Sequence, residues 1–239
     1  MDIKTKNLDI VYCLKDKSNG EELKYSFRSL KNLEHNKVWL YGGCPEWVNH
    51  DTVIHIPVEQ NLGNKWLNTS KLLKEIAQND DITEDFIWFN DDFFVLKKMD
   101  SLKYCYDRTL GARATDFWKL GWQRMNSGYV HRLRIAERAL KWNKCSSLNY
   151  ELHIPFIFNR KKLLEIVEKY PGIGAKRSLY GNTFIKESIQ TSDVKIYNNE
   201  SVPDKDWEFV STSDGAFING EVRKYLKRKF KEKSEYERD

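Results

Sequence analysis

A chain of 239 residues with 40% hydrophobic and 13% aromatic residues can bury a substantial core, which excludes a disordered protein. Its net charge of +5, on 31% charged residues, permits an anionic partner but does not require one. We expect neither a signal peptide nor a membrane span, because the N-terminus is polar and no apolar run approaches ~20 residues. Four widely spaced cysteines without a C-x-x-C pair favour a reducing, cytoplasmic location.

The first hundred residues alternate between apolar runs and amphipathic segments. Leu23, Phe27 and Leu30 have helical spacing, and Ser18 or Asn19 can cap that helix. The order strand, helix, strand, strand, helix, strand predicts an α/β fold with a mostly parallel sheet and helices on both faces. The predicted strands cover residues 8–14, 37–43, 52–58 and 85–90, and the predicted helices cover residues 18–33 and 64–80.

The second half is less regular, and we predict that it belongs to the same compact domain. Residues 111–134 mix bases, rings and glycines, which suggests a loop or lid before a helix from Val130 to Trp142. A helix over residues 159–171, strands at 193–198 and 206–212, and a basic helix from Gly220 follow. The basic tail is interpreted as a solvated amphipathic helix, with a nucleic-acid or membrane-surface contact as the alternative.

Asn90, Asp91 and Asp92 directly follow the fourth predicted strand, so they belong at the carboxyl edge of the sheet, where such folds bind ligands. Two carboxylates beside an amide form a hard-oxygen site that suits Mg²⁺ or Mn²⁺. The alternative is a hairpin turn, in which Asn and Asp are favoured. The apolar runs on both sides favour the metal site.

Two further features carry chemistry. Lys24 and Arg28 lie at i and i+4 on the first helix, which indicates a bound anion unless that face is simply solvated. His153 precedes a proline in an extended segment, where it could act as a general base with Glu151 orienting it, unless it is structural. The remaining histidines lack comparable context and are interpreted as structural: His35, His50, His55 and His131.

Four segments, in this order, resemble the Stealth-type sugar-phosphate transferases and the related small glycosyltransferase-like proteins of bacteria and phages. They are "LDIVYCLKD", "NGEELKYSFRSLKN", "CPEWVN" and "DFIWFNDDFFVLKKMD". Residues 151–170 resemble the "H-x-P-H" segment of that family less closely. The matching residues are Tyr25, Ser26, Arg28, Ser29, Pro45, Trp47, Asn49, Asn90, Asp91 and Asp92.

The resemblance implies a GT-A-like nucleotide-diphospho-sugar transferase fold. Residues 1–100 would form a Rossmann-like donor half, and residues 101–239 an elaborated acceptor and catalytic half with the basic C-terminal helix. A Mg²⁺ or Mn²⁺ ion would bind Asp91 and Asp92, and the donor would be a UDP-sugar or another nucleotide sugar. The implied donor-binding residues are Tyr12, Lys24, Arg28, Asn68, Lys71 and Asn90; the catalytic residues are His153, Asp92 and Glu151; the acceptor residues are Trp118, Trp122 and Arg124.

Departures from the family pattern bear on the reaction. Lys24 stands in place of the usual Arg, and Phe156 stands where the second His of "H-x-P-H" would be. We therefore expect transfer of the sugar itself, with sugar-1-phosphate transfer as the alternative. The acceptor would be a modified base in phage DNA or an anionic surface glycan. A non-catalytic module that binds nucleotides or nucleic acid on the same fold is the third interpretation.

Overall fold

The computed structural model describes residues 2–16, 18–63, 65–119 and 127–238. The strands are β1 (Ile3–Lys4), β2 (Asp9–Leu14), β3 (Val38–Gly42), β4 (Val53–Ile56), β5 (Asp85–Asn90), β6 (Phe93–Val95), β7 (Ser101–Leu102), β8 (Cys105–Thr109), β9 (Leu148–Asn149), β10 (Phe156–Asn159), β11 (Ile189–Gln190), β12 (Lys195–Ile196) and β13 (Phe209–Thr212). The helices are α1 (Glu21–Ser29), α2 (Lys65–Gln78), α3 (Leu110–Lys119), α4 (Ser127–Trp142), α5 (Arg160–Lys169), α6 (Lys176–Phe184), α7 (Asp214–Asn219) and α8 (Glu221–Lys229).

The central sheet has the order β10-β5-β2-β3-β4. Strands β2, β3, β4 and β5 are parallel, and only β10 runs antiparallel, against β5. The predicted mostly parallel α/β sheet is therefore confirmed. From β2 the chain proceeds outward to β3 and β4, then returns through α2 to place β5 on the other side of β2. Strand order thus reverses between β2 and β5, which creates a topological switch point at their carboxyl ends.

Both faces of this sheet are buried, as predicted. Along β2, Ile10 and Tyr12 point into a core beneath α1, whereas Val11 points into the core under α2 and α5. Alternate side chains enter opposite faces of a strand, so a strand covered on both sides has a continuous apolar sequence. This explains why residues 8–14 contain almost no polar side chain except Asp9.

Helix α1 begins differently from the prediction. Its N-cap is Gly20, with a left-handed φ of 65°, and neither Ser18 nor Asn19 caps it in the expected way. A Cβ atom at Gly20 would lie 2.5 Å from Cγ of Pro45. Only glycine satisfies both the positive φ and this close approach. Asn19 still contributes, because its side-chain oxygen accepts from the backbone N–H of Glu21 at 3.2 Å.

The second half contains more helix than predicted. Residues 111–119, expected to be part of a loop or lid, lie in α3, and α4 begins at Ser127 rather than near Val130. Helix α8 is amphipathic as predicted, but the tail beyond it is not merely solvated, because Phe230 is fully buried and Tyr236 nearly so. No helix in the described ranges is long and apolar enough to cross a bilayer.

Candidate functional site

A cleft of about 620 Å³ lies at the carboxyl ends of β2 and β5, at the switch point. Aromatic side chains form part of its wall, and charged side chains of both signs surround it. The lining residues include Cys13, Lys15, Asp16, Gln60, Trp66, Asn68, Trp88, Asn90, Asp91, Glu151, Phe158, Lys176 and Arg177. A larger hollow of about 1010 Å³ lies at the opposite edge, around residues 30–38. We favour the smaller cleft because ligands of open α/β sheets bind at the carboxyl edge.

The three polar residues after β5 lie at this edge, but they do not form a hairpin. Strand β6, which follows Asp92, pairs with β13 and belongs to a different sheet from β5. The chain therefore crosses between two sheets at Asp91 and Asp92, which removes the hairpin alternative. Asn90 and Asp91 line the cleft, and the Asn90 side-chain oxygen accepts from the Trp88 indole N–H at 2.9 Å.

Asp92 does not line the cleft, unlike its neighbours Asn90 and Asp91, and it is only 8% exposed. Its Oδ2 atom accepts hydrogen bonds from Lys195 Nζ at 2.8 Å and Ser211 Oγ at 2.7 Å. Burial by itself would raise the pKa of this carboxyl, but the charges of Lys195 and His153, together with the hydrogen bonds from Lys195 and Ser211, hold the pKa below its usual range. Asp92 is therefore an ionised, internally paired carboxylate, and one of its oxygens is already engaged.

The charge of Lys195 lowers the pKa of Asp91 too, but it is a smaller influence there than burial and the Asp92 charge. Burial, followed by the negative charge of Asp92, raises the pKa of Asp91 to about 7. Glu22, at the start of α1, has a pKa raised to about 8 by burial and then by the charges of Asp91, Asp92 and Asp214. Glu22, Asp91 and Asp92 therefore repel one another when charged, and Lys195 pairs with only one of the three, Asp92. Carboxylates close together resist simultaneous ionisation, so this region favours an added positive charge.

His153 is oriented by a residue that the sequence did not indicate. Its Nδ1 atom lies 2.8 Å from Oδ2 of Asp193, and its backbone N–H donates to the other oxygen of that carboxylate at 3.0 Å. Arg113 contacts the same carboxylate at 3.2 Å. Although burial would raise the pKa of Asp193, the hydrogen bond and charge of His153, with Arg113, hold it at about 2. A proton on Nδ1 would leave Nε2 as the basic ring nitrogen.

Glu151 does not orient His153, which corrects that prediction. Its Oε1 atom accepts from the backbone N–H of Ser178 at 2.8 Å, and Oε2 lies 3.5 Å from Nε of Arg177. Glu151 thus holds the start of α6 against the cleft. The physical reason is that the backbone bends at residues 153 and 154, so the side chains of Glu151 and His153 do not share one face as they would on a regular strand.

Asn68 and Lys71 differ in position. Asn68 lines the cleft, but its amide accepts from the Leu62 N–H at 3.1 Å and donates to the Gln60 carbonyl at 3.2 Å. Lys71 does not line the cleft, and its Nζ donates to the Glu59 carbonyl at 2.9 Å. Both side chains therefore brace the segment between β4 and α2, which forms one wall of the cleft.

Tyr12 does not reach the cleft. It is fully buried on the α1 side of the sheet, with its hydroxyl 2.8 Å from Ser26 Oγ and its ring 5.1 Å from that of Phe27. Because neighbouring strand residues face opposite sides, the adjacent Cys13 lines the cleft instead. The predicted role of Tyr12 in donor binding is therefore wrong.

Arg28 and Lys24 also lie away from the cleft. Nε and Nη2 of Arg28 each donate to a carboxylate oxygen of Glu237 at 2.7 Å, a bidentate pair. Lys24 Nζ lies 4.8 Å from the centre of the Trp47 ring. Arg28 does contact an anionic group, as predicted, but that group is the carboxylate of Glu237 and not a bound ligand.

Of the three residues predicted for the acceptor, Trp118 lies in the described part of the chain. Trp118, on α3, is 51% exposed, and the Arg134 guanidinium lies 5.5 Å from its ring. Trp118 does not line the cleft. Trp122 and Arg124 lie outside the described residues.

Several cations at the cleft were missed by the sequence analysis. Lys15 follows β2, and Lys176 and Arg177 begin α6. Burial lowers the pKa of Lys176 to about 8, and its Nζ donates to the Tyr170 carbonyl. Next to Trp66, a buried Nη1 of Arg132 has no hydrogen-bond partner within the described chain. The sequence did contain one signal for these cations, because the adjacent bases Lys176 and Arg177 closely follow the turn at Pro171 and Gly172.

No family model and no curated protein sequence matches the chain. Solved glycosyltransferase structures are similar to it at low identity. The galactosyltransferase LgtC, in complex with donor and acceptor sugar analogues, has a TM-score of 0.45 at 11% identity, over 80% of this chain and 76% of that one. GlyE from Streptococcus pneumoniae has a TM-score of 0.37 at 11% identity, over 77% of this chain and 46% of that one. Mouse xyloside xylosyltransferase 1 has a TM-score of 0.35 at 10% identity, over 96% of each chain.

Proposed function

We propose that the protein is a GT-A-like glycosyltransferase that uses a nucleotide-diphosphate sugar. The observation that carries the proposal is the composition of the cleft at the switch point. Asp91 lies on one side of it, Lys15, Lys176 and Arg177 lie around it, and aromatic rings line it. Cations suit a diphosphate, rings suit a nucleoside base, and an acid beside them suits a bound metal or sugar hydroxyls.

A divalent metal such as Mg²⁺ or Mn²⁺ fits the residues beside the cleft. The donor set consists of hard oxygens from Asp91 and from Asp92, whose Oδ2 is engaged by Lys195. The negative charges of Asp91 and Asp92 contribute to the raised pKa values of Glu22 and Asp91, and an added cation would relieve this repulsion between carboxyl groups. When bound, the metal would supply positive charge to offset the charge on a departing diphosphate.

The chain's own residues would contribute in two ways. Lys15 and Arg177 would bind and orient the diphosphate and stabilise it as it leaves, which is where the transition state gains most. His153, held by Asp193, would accept a proton at Nε2 from the acceptor hydroxyl. The charge of His153 lowers the pKa of Asp92, so the imidazole lies close enough to interact electrostatically with that carboxylate.

Transfer of the sugar itself is better supported than Stealth-type transfer of a sugar phosphate. Phe156, where that family has its second His, is 4% exposed and packs in the core against the ring of Phe158, with centroids 4.7 Å apart. A catalytic group could not reach a substrate from there without the core being rebuilt. We propose a modified base in phage DNA or an anionic surface glycan as the acceptor, because the chain carries a net charge of +5.

One observation favours a second function, a nucleotide-binding module without turnover. The ion pair between Asp92 and Lys195 occupies a carboxylate oxygen that a metal would otherwise use. If this pair persists with ligand bound, the metal keeps fewer protein ligands. Hydrolysis of the nucleotide sugar in the absence of acceptor distinguishes the two functions, since a module would bind the nucleotide and leave it intact.

The decisive experiment is a thermal-shift screen of nucleotide diphosphates and nucleotide sugars with and without Mn²⁺. A ligand that binds only the native state raises the melting temperature by mass action. We expect UDP or another diphosphate to stabilise the protein more strongly with Mn²⁺ present. Asp91→Asn should lose this dependence, whereas Asp206→Asn, on an 80% exposed side chain, should keep it. Absence of any nucleotide response, or an unchanged Mn²⁺ dependence in Asp91→Asn, would refute the proposal.

A further inference from the structure

Three metal-ligand side chains converge outside the cleft, on the connection between β3 and β4. Cys44 follows the glycines that end β3, His50 lies in the connecting loop, and His55 is on β4. One ligand atom from each residue lies within 4.8 Å of the other two. Within the described ranges, this is the one group of three or more such residues that meets this limit. Sequence spacing gave no such signal, because the cysteine has no C-x-x-C partner.

The distances suit a tetrahedral metal site. Cys44 Sγ and His50 Nε2 are 3.9 Å apart. With metal–sulfur and metal–nitrogen bonds of ~2.3 Å and ~2.0 Å, the edge of a tetrahedron joining the two ligands is roughly 3.6 Å. A separation of 3.9 Å is long for a hydrogen bond, even one that involves sulfur. The two atoms would need to approach each other only slightly to reach the separation of two ligands on one metal ion.

The environment of His55 supports the same interpretation. Its Nε2 atom lies 2.9 Å from the backbone carbonyl oxygen of Gly42, which can only accept a hydrogen bond. Nε2 must therefore carry the proton, so Nδ1 keeps the free lone pair. Histidines that bind metals commonly donate their other ring N–H to a backbone carbonyl or carboxylate in this way, which fixes the tautomer and ring orientation.

The thiol and the exposure of the site are compatible with loading from solvent. Cys44 and His55 are partly buried and His50 is exposed, so the three ligands lie at the surface. Burial raises the pKa of the Cys44 thiol, and the nearby charge of Arg238 opposes this shift. A coordinating divalent cation deprotonates a thiol, so binding would release a proton from Cys44.

We propose that Cys44, His50 and His55 bind a borderline divalent transition metal, with Zn²⁺ the best match to one thiolate and two imidazoles. Three protein ligands leave a fourth position for water or an added ligand. The metal would link the end of β3 to the loop and to β4, and so would fix the turn that contains Pro45 and Trp47. The site is independent of the cleft and of the proposed glycosyl transfer.

Cobalt serves as the spectroscopic probe, because Co²⁺ occupies zinc sites and its thiolate bond gives a charge-transfer absorption. The full chain, stripped with a chelator, is titrated with Co²⁺. We expect the thiolate band to saturate at one equivalent of Co²⁺, to disappear when Zn²⁺ displaces Co²⁺, and the melting temperature to rise with Zn²⁺ bound. Cys44→Ser should abolish the band, and His50→Gln should weaken affinity at least tenfold, as loss of even a supporting group costs about 10–100-fold.

Two control variants make the assignment specific. Cys145→Ser removes a partly buried cysteine whose Sγ donates to the Asn143 carbonyl at 3.6 Å, away from Cys44, and should leave the titration unchanged. Asp91→Asn should also leave the thiolate band unchanged, because carboxylates give none. His50 is exposed, so His50→Gln tests the site even if Cys44→Ser fails to fold. Co²⁺ binding without a thiolate band, or binding unaffected by His50→Gln, would overturn the proposal and leave only a weak Cys44–His50 hydrogen bond.

Discussion

Substitution of Arg28 by methionine distinguishes two roles for this residue. The sequence resemblance implies that Arg28 binds the donor diphosphate, whereas the structure pairs it with Glu237 through two hydrogen bonds of 2.7 Å. Arg28 also donates to the carbonyl of Phe230 at 3.1 Å. Because methionine keeps the length and apolar stem of arginine, the substitution removes the charge and hydrogen bonds while preserving much of the packing.

The expected loss of stability follows from the burial of the pair. The side chains of Arg28 and Glu237 are 12% and 2% exposed, so solvent screens their attraction weakly. Removal of one partner of a buried pair costs ~3–5 kcal/mol because the other charge stays buried and unpaired. Ser234 still donates to Glu237, which favours the lower end, about 3 kcal/mol. For a chain of this size, that corresponds to a decrease in melting temperature of roughly 6–12 °C.

The assay is thermal and urea unfolding of Arg28→Met, Glu237→Gln and the double variant, each with and without the nucleotide found by the screen. We expect strong coupling in the double-mutant cycle and an unchanged nucleotide-induced shift in each folded variant. Arg138→Met, on an exposed position of α4, is the matched control and should change little. A normal melting temperature for Arg28→Met combined with loss of the nucleotide response would refute this reasoning and restore the donor-binding role.

Three further results are expected. Tyr12→Phe should lower stability by about 1 kcal/mol, through loss of the bond to Ser26, and leave nucleotide binding intact in the thermal-shift assay. Gly20→Ala should lower the melting temperature, because it adds a Cβ against Pro45 at a φ of 65°; an unchanged value would contradict the cap assignment. Asp193 contributes stability above its unfolded pKa of ~3.9, and loses it as pH falls toward its folded value of about 2. Asp193→Asn should therefore flatten the fall in melting temperature over that pH range, and an unchanged slope would argue against the His153–Asp193 pair.

Local patterns determined the parts of the fold that depend on near neighbours. Continuous apolar runs predicted β2 to β5, since a strand buried on both faces cannot carry polar side chains, and the spacing of Leu23, Phe27 and Leu30 predicted α1. The position of Asn90 and Asp91 at the cleft also followed, because residues after a parallel strand must lie at its carboxyl edge. The cap of α1 was missed, since the close approach of Pro45 to Gly20 is a tertiary contact.

Only the tertiary structure decided which charged groups pair. Arg28 meets Glu237 across 209 positions of sequence, and Asp92 meets Lys195 across 103. The charge of a side chain predicts that it will pair with a group of opposite charge. Which residue becomes that partner depends on how distant parts of the chain fold together. The convergence of Cys44, His50 and His55 depends likewise on the parallel pairing of β3 with β4, which places their side chains together without any distinctive spacing.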